Sequence, residues 1–253
     1  MRIVDNKEDI FVCGHRGYMA RYPENSLLAV FKAIEAGVDA VEIDLHYTKD
    51  KKIVLLHDDS IDRTTNGTGL IKDLTLQELD NVKLYNPNGT LSDEKIPTFI
   101  EYLEMTKAYP ELEHFIEIKT QDDSVELFHE VYEILKDYDL LDSLLTTFDY
   151  RVTKAAIEKN MPVQSFGYDL MQYLDKDEIY EDDYLKSLTV IGLFINSATP
   201  ELVAKYKEYG LQMTIVPIDS DEDIEKATQL GLNLLACNEI QPAIQYRNRL
   251  REV

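Results

Sequence analysis

The chain has 253 residues, 44% of them hydrophobic, and carries 26 basic against 48 acidic residues, a formal net charge of −22 at pH 7. Its length suits one β/α-barrel as well as two small domains, but no low-complexity or Pro/Gly/Ser-rich linker divides it, so a single domain over residues 1–253 is expected. Such an acidic surface repels nucleic acid and anionic lipid and excludes both as bulk partners, although the same charge also serves plain solvation.

The opening stretch, MRIVDNKEDI, lacks the basic-then-apolar layout of a signal peptide, and no apolar run is long enough for a membrane span. Cys13 and Cys237 each sit in an apolar, strand-like run and read as buried free thiols. A cytoplasmic, reduced setting without stable membrane association is the expectation.

Short β-branched runs predict strands at Ile10–Cys13, Ala40–Leu45, Phe115–Ile118, Leu144–Phe148, Val163–Phe166, Val190–Ile195, Gln212–Ile218 and Leu232–Cys237. Helical patterns lie between them. Ser26 caps one that runs to Ala36 and stops at Gly37, and Asp149 opens one to Lys159. Pro200 sits in the first turn of another, and Ser220–Leu230 reads the same way. Eight strands separated by helices predict an α/β fold, a TIM (β/α)8 barrel. A doubly wound open sheet shares the alternation, but no GxGxxG or GxxxxGK[ST] loop supports its nucleotide-binding form.

One stretch breaks the pattern. Ile53–Leu56 follows Ala40–Leu45 too closely for a parallel crossover, so an antiparallel hairpin is expected after the second strand. With a turn centred on Asp50–Lys51, His57 falls directly opposite Asp44. Glu42 and Asp44 share one face by the two-residue repeat, and a paired His57 joins them there.

Polar residues cluster at the predicted strand ends. Gly14-His15-Arg16-Gly17 follows the first strand, where barrels build their sites; taken alone it also reads as a surface turn. Glu42 and Asp44 are like charges that repel unless a cation sits between them, and oxygen ligands suit Mg²⁺ or Ca²⁺. Glu117 interrupts an apolar strand, where an unpaired carboxylate is costly. It reads either as a third ligand or as the partner of Lys119 or Arg16. Of the five histidines, His15 and His57 fall at the rim and suit general acid–base work on a phosphate, with Arg16 and Lys119 supplying positive charge. His129 reads as a surface residue, His114 as structural and His46 as peripheral. The set suits metal-assisted phosphodiester cleavage, not acyl or hydride transfer.

These residues resemble the motifs of the glycerophosphodiester phosphodiesterase family. His15-Arg16-Gly17 with Pro23-Glu24-Asn25-Ser26 is similar to its first motif. Glu42-Ile43-Asp44, Thr48-Lys49-Asp50, Val54 and His57-Asp58 are similar to its second, and Glu117-Ile118-Lys119 to its third. Asp62-Arg63-Thr64-Thr65-Asn66-Gly67 and Ile96-Pro97-Thr98 follow the family's course between them. The resemblance implies a barrel with a small insertion within residues 60–113. It implies one divalent cation, Mg²⁺ or Ca²⁺, on Glu42, Asp44 and Glu117, acid–base roles for His15 and His57, and phosphate binding by Arg16 and Lys119. The implied reaction releases an alcohol and glycerol 3-phosphate through attack by a neighbouring substrate hydroxyl.

Departures cluster in the second half. Val216-Pro217-Ile218-Asp219 stands where the family carries Trp-Thr-Val-Asn, Cys237-Asn238 replaces Thr-Asp, and Lys51 replaces a turn glycine. These changes leave two alternatives: the same chemistry on another phosphodiester, such as a lysophospholipid, or a phosphate-ligand binding protein without catalysis.

Overall fold

A computed structural model describes residues 9–166 and 181–252; the opening segment read for a leader falls almost wholly outside them. The apolar runs become the strands β1 (Phe11–Gly14), β2 (Ala40–Tyr47), β3 (Ile53–Leu55), β4 (Glu113–Ile118), β5 (Leu144–Thr147), β6 (Val163–Phe166), β7 (Val190–Phe194), β8 (Gln212–Val216) and β9 (Leu234–Cys237). Of the strand ends that move inward, two have plain local reasons. Pro217 has no N–H to donate, so β8 stops at Val216. Beyond Thr147, the Asp149 carboxylate accepts a hydrogen bond from Arg151 N (2.9 Å) and starts the helix Tyr150–Glu158.

β1 pairs in parallel with both β9 and β2, which closes eight strands into a ring and rules out the open sheet. β3 lies outside the ring, antiparallel to β2. The helices between strands carry the expected ends: Ser26 Oγ accepts from Ala29 N (3.0 Å), and Gly37 ends that helix at φ 90°.

Strand parity sorts the core into two shells. Val41, Ile43 and Leu45 of β2 and Ile116 and Ile118 of β4 pack outward against the helices. Ala40 and Phe115 point into the barrel with Cys13, Leu144, Val190 and Leu234. Glu42, Asp44 and Glu117 share the parity of Ala40 and Phe115, so the two-residue repeat carries all three acids inside the barrel. The excursion between β3 and β4 has a small core of its own, with Val54, Leu56, Ile61, Ile71, Leu79, Leu84 and Ile96. Among the described residues, no helix is long and apolar enough to cross a membrane.

The hairpin forms, but its register differs from the expected one. Tyr47 pairs with Ile53, His46 with Val54 and Leu45 with Leu55, so Leu56, not His57, stands opposite Asp44, and its N–H donates to Asp44 O (3.1 Å). The cause is the turn: a loop from Thr48 to Lys52 closes through Lys51 in the left-handed region at φ 58°, where glycine is the inexpensive choice. Lys51 is held there by ion pairs to Asp123 and Glu126 and by the Tyr47 ring, 4.5 Å from its Nζ.

His114 lies within β4, buried against Tyr102, whose hydroxyl is 2.6 Å from Nδ1. Burial holds its pKa down at about 4, so the folded protein keeps it neutral while an unfolded chain protonates it near 6.5. Its contribution is complete above pH 6.5 and is lost as pH falls towards 4, on the order of 3 kcal/mol. Urea midpoints of the wild type should therefore fall more steeply over that window than those of His114→Asn; parallel curves would assign the acid sensitivity elsewhere.

Candidate active site

The acids meet at the carboxyl end of the barrel. Asp44 and Glu117 are in register on adjacent strands, Glu42 lies one inward position below, and ligand oxygens of all three fall within 4.8 Å of one another. All three residues are buried. Glu117 stands in the carboxylate cluster and also pairs with Lys119, whose Nζ is 2.5 Å from its Oε1.

Two cations face this cluster. Lys119 Nζ lies 3.3 Å from Asp44 Oδ1, and Arg16 Nε lies 3.3 Å from Asp44 Oδ2. Arg16 adopts φ 53° and its N–H donates to Glu42 Oε2 (2.8 Å), so a left-handed residue binds the first loop to β2. Gly17 follows at φ 76° and packs so closely that a Cβ would stand 2.6 Å from the Ala29 carbonyl carbon. Only glycine fits that approach. Asn25 completes the collar: its Nδ2 donates to Asp44 Oδ2 (2.8 Å) and its Oδ1 accepts from Asp44 N (3.1 Å).

These surroundings divide the charge. Burial raises the pKa of Asp44, but Lys119 and Arg16 outweigh it and hold the group below the usual carboxylate range. Glu42 is pushed well up by burial, then by Asp44 and Glu117. Glu117 is raised by burial, against the pull of Lys119. Among the described residues, Glu42 Oε1 is buried without a hydrogen-bond partner, and Asp44 Oδ1 has only its ionic contact with Lys119. Three converging carboxylates with such oxygens fit a hard divalent cation, whose charge reverses the repulsion that raises Glu42.

His15 and His57 flank the cluster by different routes. His15 Nε2 is 3.9 Å from Glu42 Oε2, and its Nδ1 is 2.7 Å from Asn238 Oδ1. Asn238 is itself turned by Asp219: Nδ2 donates to Asp219 Oδ2 (2.9 Å) and the backbone N–H to Oδ1 (2.8 Å). Since Asp219 only accepts, the amide oxygen faces His15, Nδ1 carries the proton, and Nε2 is left as an acceptor. Burial, then the Arg16 charge, lower the His15 pKa to about 4.

His57 does not arrive by strand pairing, which in this register sends it to the other face. β3 has ended at Leu55, and the backbone bends at His57, bringing the imidazole close enough to act electrostatically on Asp44 and Glu117. Its Nδ1 meets Asp58 Oδ1 at 2.6 Å. Arg63 then grips Asp58 (Nε–Oδ2 2.5 Å) and Glu24 (Nη1–Oε2 2.7 Å), and Glu24 also accepts from Arg16 Nη1 (2.9 Å). His46 is not peripheral: it is buried, with Nε2 3.3 Å from His57 O, and supports the bend from beneath. His129 is exposed, as expected.

Sequence reasoning assigned no role to Asn25, Asp58, Arg63, Asp219 or Asn238. The first three stood inside quoted motifs, a signal that was available. Asp219 and Asn238 lie on separate loops after β8 and β9, an acid and an amide in the opposite order to the family's motifs, and only the folded chain reveals their hydrogen bonds.

The model of the Glycerophosphoryl diester phosphodiesterase family matches residues 15–241. The chain is similar to the glycerophosphodiester phosphodiesterase of Caldanaerobacter subterraneus subsp. tengcongensis, 29% identical over 227 residues, covering 88% of this chain and 91% of that relative. It is similar to the enzyme of the same name from Bacillus altitudinis, 27% identical over 252 residues, covering 95% and 99%. In fold it is similar to a phosphodiesterase from Oleispira antarctica solved with the product sn-glycerol-3-phosphate, with a TM-score of 0.81, 22% identity and coverage of 95% and 97%. A match that begins at His15 and ends beyond Asn238 takes in every acid, imidazole and cation of the barrel mouth, and the chain belongs to the glycerophosphoryl diester phosphodiesterase family.

Proposed function

We propose that the protein is a single barrel domain over residues 1–253, with an insertion within 60–113, that hydrolyses glycerophosphodiesters to an alcohol and glycerol 3-phosphate. One observation carries the reading: three buried carboxylates converge within 4.8 Å beside two cations and two imidazoles. Glu42, Asp44 and Glu117 would hold one divalent cation, Mg²⁺ or Ca²⁺. When bound, the cation neutralises charge developing on the phosphate oxygens.

The protein's own groups do the rest. Arg16 and Lys119 fix the phosphate by charge-assisted hydrogen bonds. His15, neutral and with Nε2 free, accepts the proton of the attacking hydroxyl as its oxygen bonds to phosphorus. His57, whose Nδ1–H is held by the Asp58 carboxylate, carries the proton that goes to the leaving alcohol oxygen as its P–O bond breaks. If the attacking hydroxyl belongs to the substrate's glycerol, water then opens the cyclic phosphate with the two roles reversed. A reduced, cytoplasmic setting suits the two buried free thiols, Cys13 and Cys237.

The test is a panel of glycerophosphodiesters assayed for glycerol 3-phosphate, with and without chelator. Turnover should vanish on chelation and return with added Mg²⁺ or Ca²⁺. Thermal stabilisation by glycerol 3-phosphate with no product under any metal would favour a binding protein instead.

A further inference from the structure

The barrel mouth is divided in two. On one side, charged groups come from the loop after β1, from β2, from the bend after β3 and from the end of β4. The adjoining side is aromatic. Phe148 after β5, Phe166 at the end of β6 and Phe194 at the end of β7 form one stack: the first two ring centroids are 4.5 Å apart at 5°, the second two 5.2 Å apart at 23°.

Register joins this stack to the site. Ile118 pairs with Thr147, so Lys119, which contacts Asp44 and Glu117, is followed on the next strand by Phe148. Gly192 pairs with Phe166, and a Cβ there would run into the Phe166 ring; the missing side chain is what lets that ring lie flat. Inward-facing Gln164 and Thr214, next to these positions on β6 and β8, hydrogen-bond to each other, so these polar groups are satisfied among themselves. Phe166 is buried, whereas Phe194 is 37% exposed, so the stack runs from the interior to the surface.

Three phenyl groups carry neither a charge nor an N–H or O–H donor. Stacking covers one face of each outer ring, and the three together offer a strip of apolar ring surface that suits an alkyl or aryl group. We infer that this aromatic ledge binds an apolar portion of the substrate, so that the preferred phosphodiester carries an alkyl or aryl group beside its phosphate. The inference rests on the hydrolase reading for where the phosphate sits. The apolar group can come from the leaving alcohol or from an acyl chain on the glycerol.

Calorimetric titration of the Mg²⁺-loaded protein with methyl phosphate, hexyl phosphate and choline phosphate tests the ledge without requiring turnover. Hexyl phosphate should bind at least about tenfold more tightly than methyl phosphate, since each buried methylene adds to affinity. That ratio should fall towards one in Phe194→Ala and in Phe148→Ala. Equal binding of the two monoesters, a ratio untouched by either substitution, or tighter binding of choline phosphate than of hexyl phosphate would each overturn the ledge. Turnover then separates the sources: the hexyl ester of glycerol 3-phosphate against hexanoyl-glycerophosphocholine, each compared with glycerophosphoglycerol. Absence of all turnover alongside a retained hexyl preference would count against the hydrolase reading and support the ledge.

Discussion

His57→Ala lowers turnover of a glycerophosphodiester by about 10²–10⁴-fold, the usual contribution of a general acid or base, and His15→Ala does the same. The two side chains are prepared alike. Each has Nδ1 engaged by an oxygen, Asn238 Oδ1 for His15 and Asp58 Oδ1 for His57, which leaves Nε2 of each as the nitrogen to carry a proton in transit. Their supports differ. A carboxylate oxygen faces the His57 ring and an amide oxygen faces that of His15. The His57 side chain is 31% exposed, so its truncation should cost little stability, and kcat at saturating metal reads the chemistry directly. Near-normal turnover in either variant removes that histidine from its assigned role.

Asp44→Asn should weaken cation binding by more than the 10–100-fold typical of an outer-shell partner and take hydrolysis with it. Asp44 is the acid about which the others are arranged: Arg16, Lys119 and Asn25 all contact its carboxylate. Replacement by the amide keeps the shape and one acceptor but removes the charge that those cations balance. Titration of Mg²⁺ or Ca²⁺ by calorimetry, with the thermal midpoint as a control for folding, measures the loss. Wild-type affinity in this variant would show that the three carboxylates do not share an ion.

Much of the site was legible before folding because strand parity is local. A period of two puts Glu42 and Asp44 on one side of β2 and Glu117 on one side of β4, whatever the strands later pair with. The His57 expectation failed at the point where locality ends. Its parity argument was sound, but the loop from Thr48 to Lys52 turns through a left-handed Lys51 and slips the register by one residue, which moves every partner to the other face. His57 reaches the acids only because β3 ends early and the chain bends, a bend that His46 and the Asp58–Arg63–Glu24 ion pairs hold in place.

By itself, then, the order of residues determined the alternation of strands and helices, the helix caps at Ser26 and Asp149, and the inward aim of three acids, since each depends on neighbours within a few positions. Tertiary structure alone decided the closure of β1 onto β9, the hairpin register, the Asp219–Asn238–His15 chain and the aromatic stack across β5, β6 and β7. Those features depend on contacts between distant segments, and periodicity carries no information about which segments will meet.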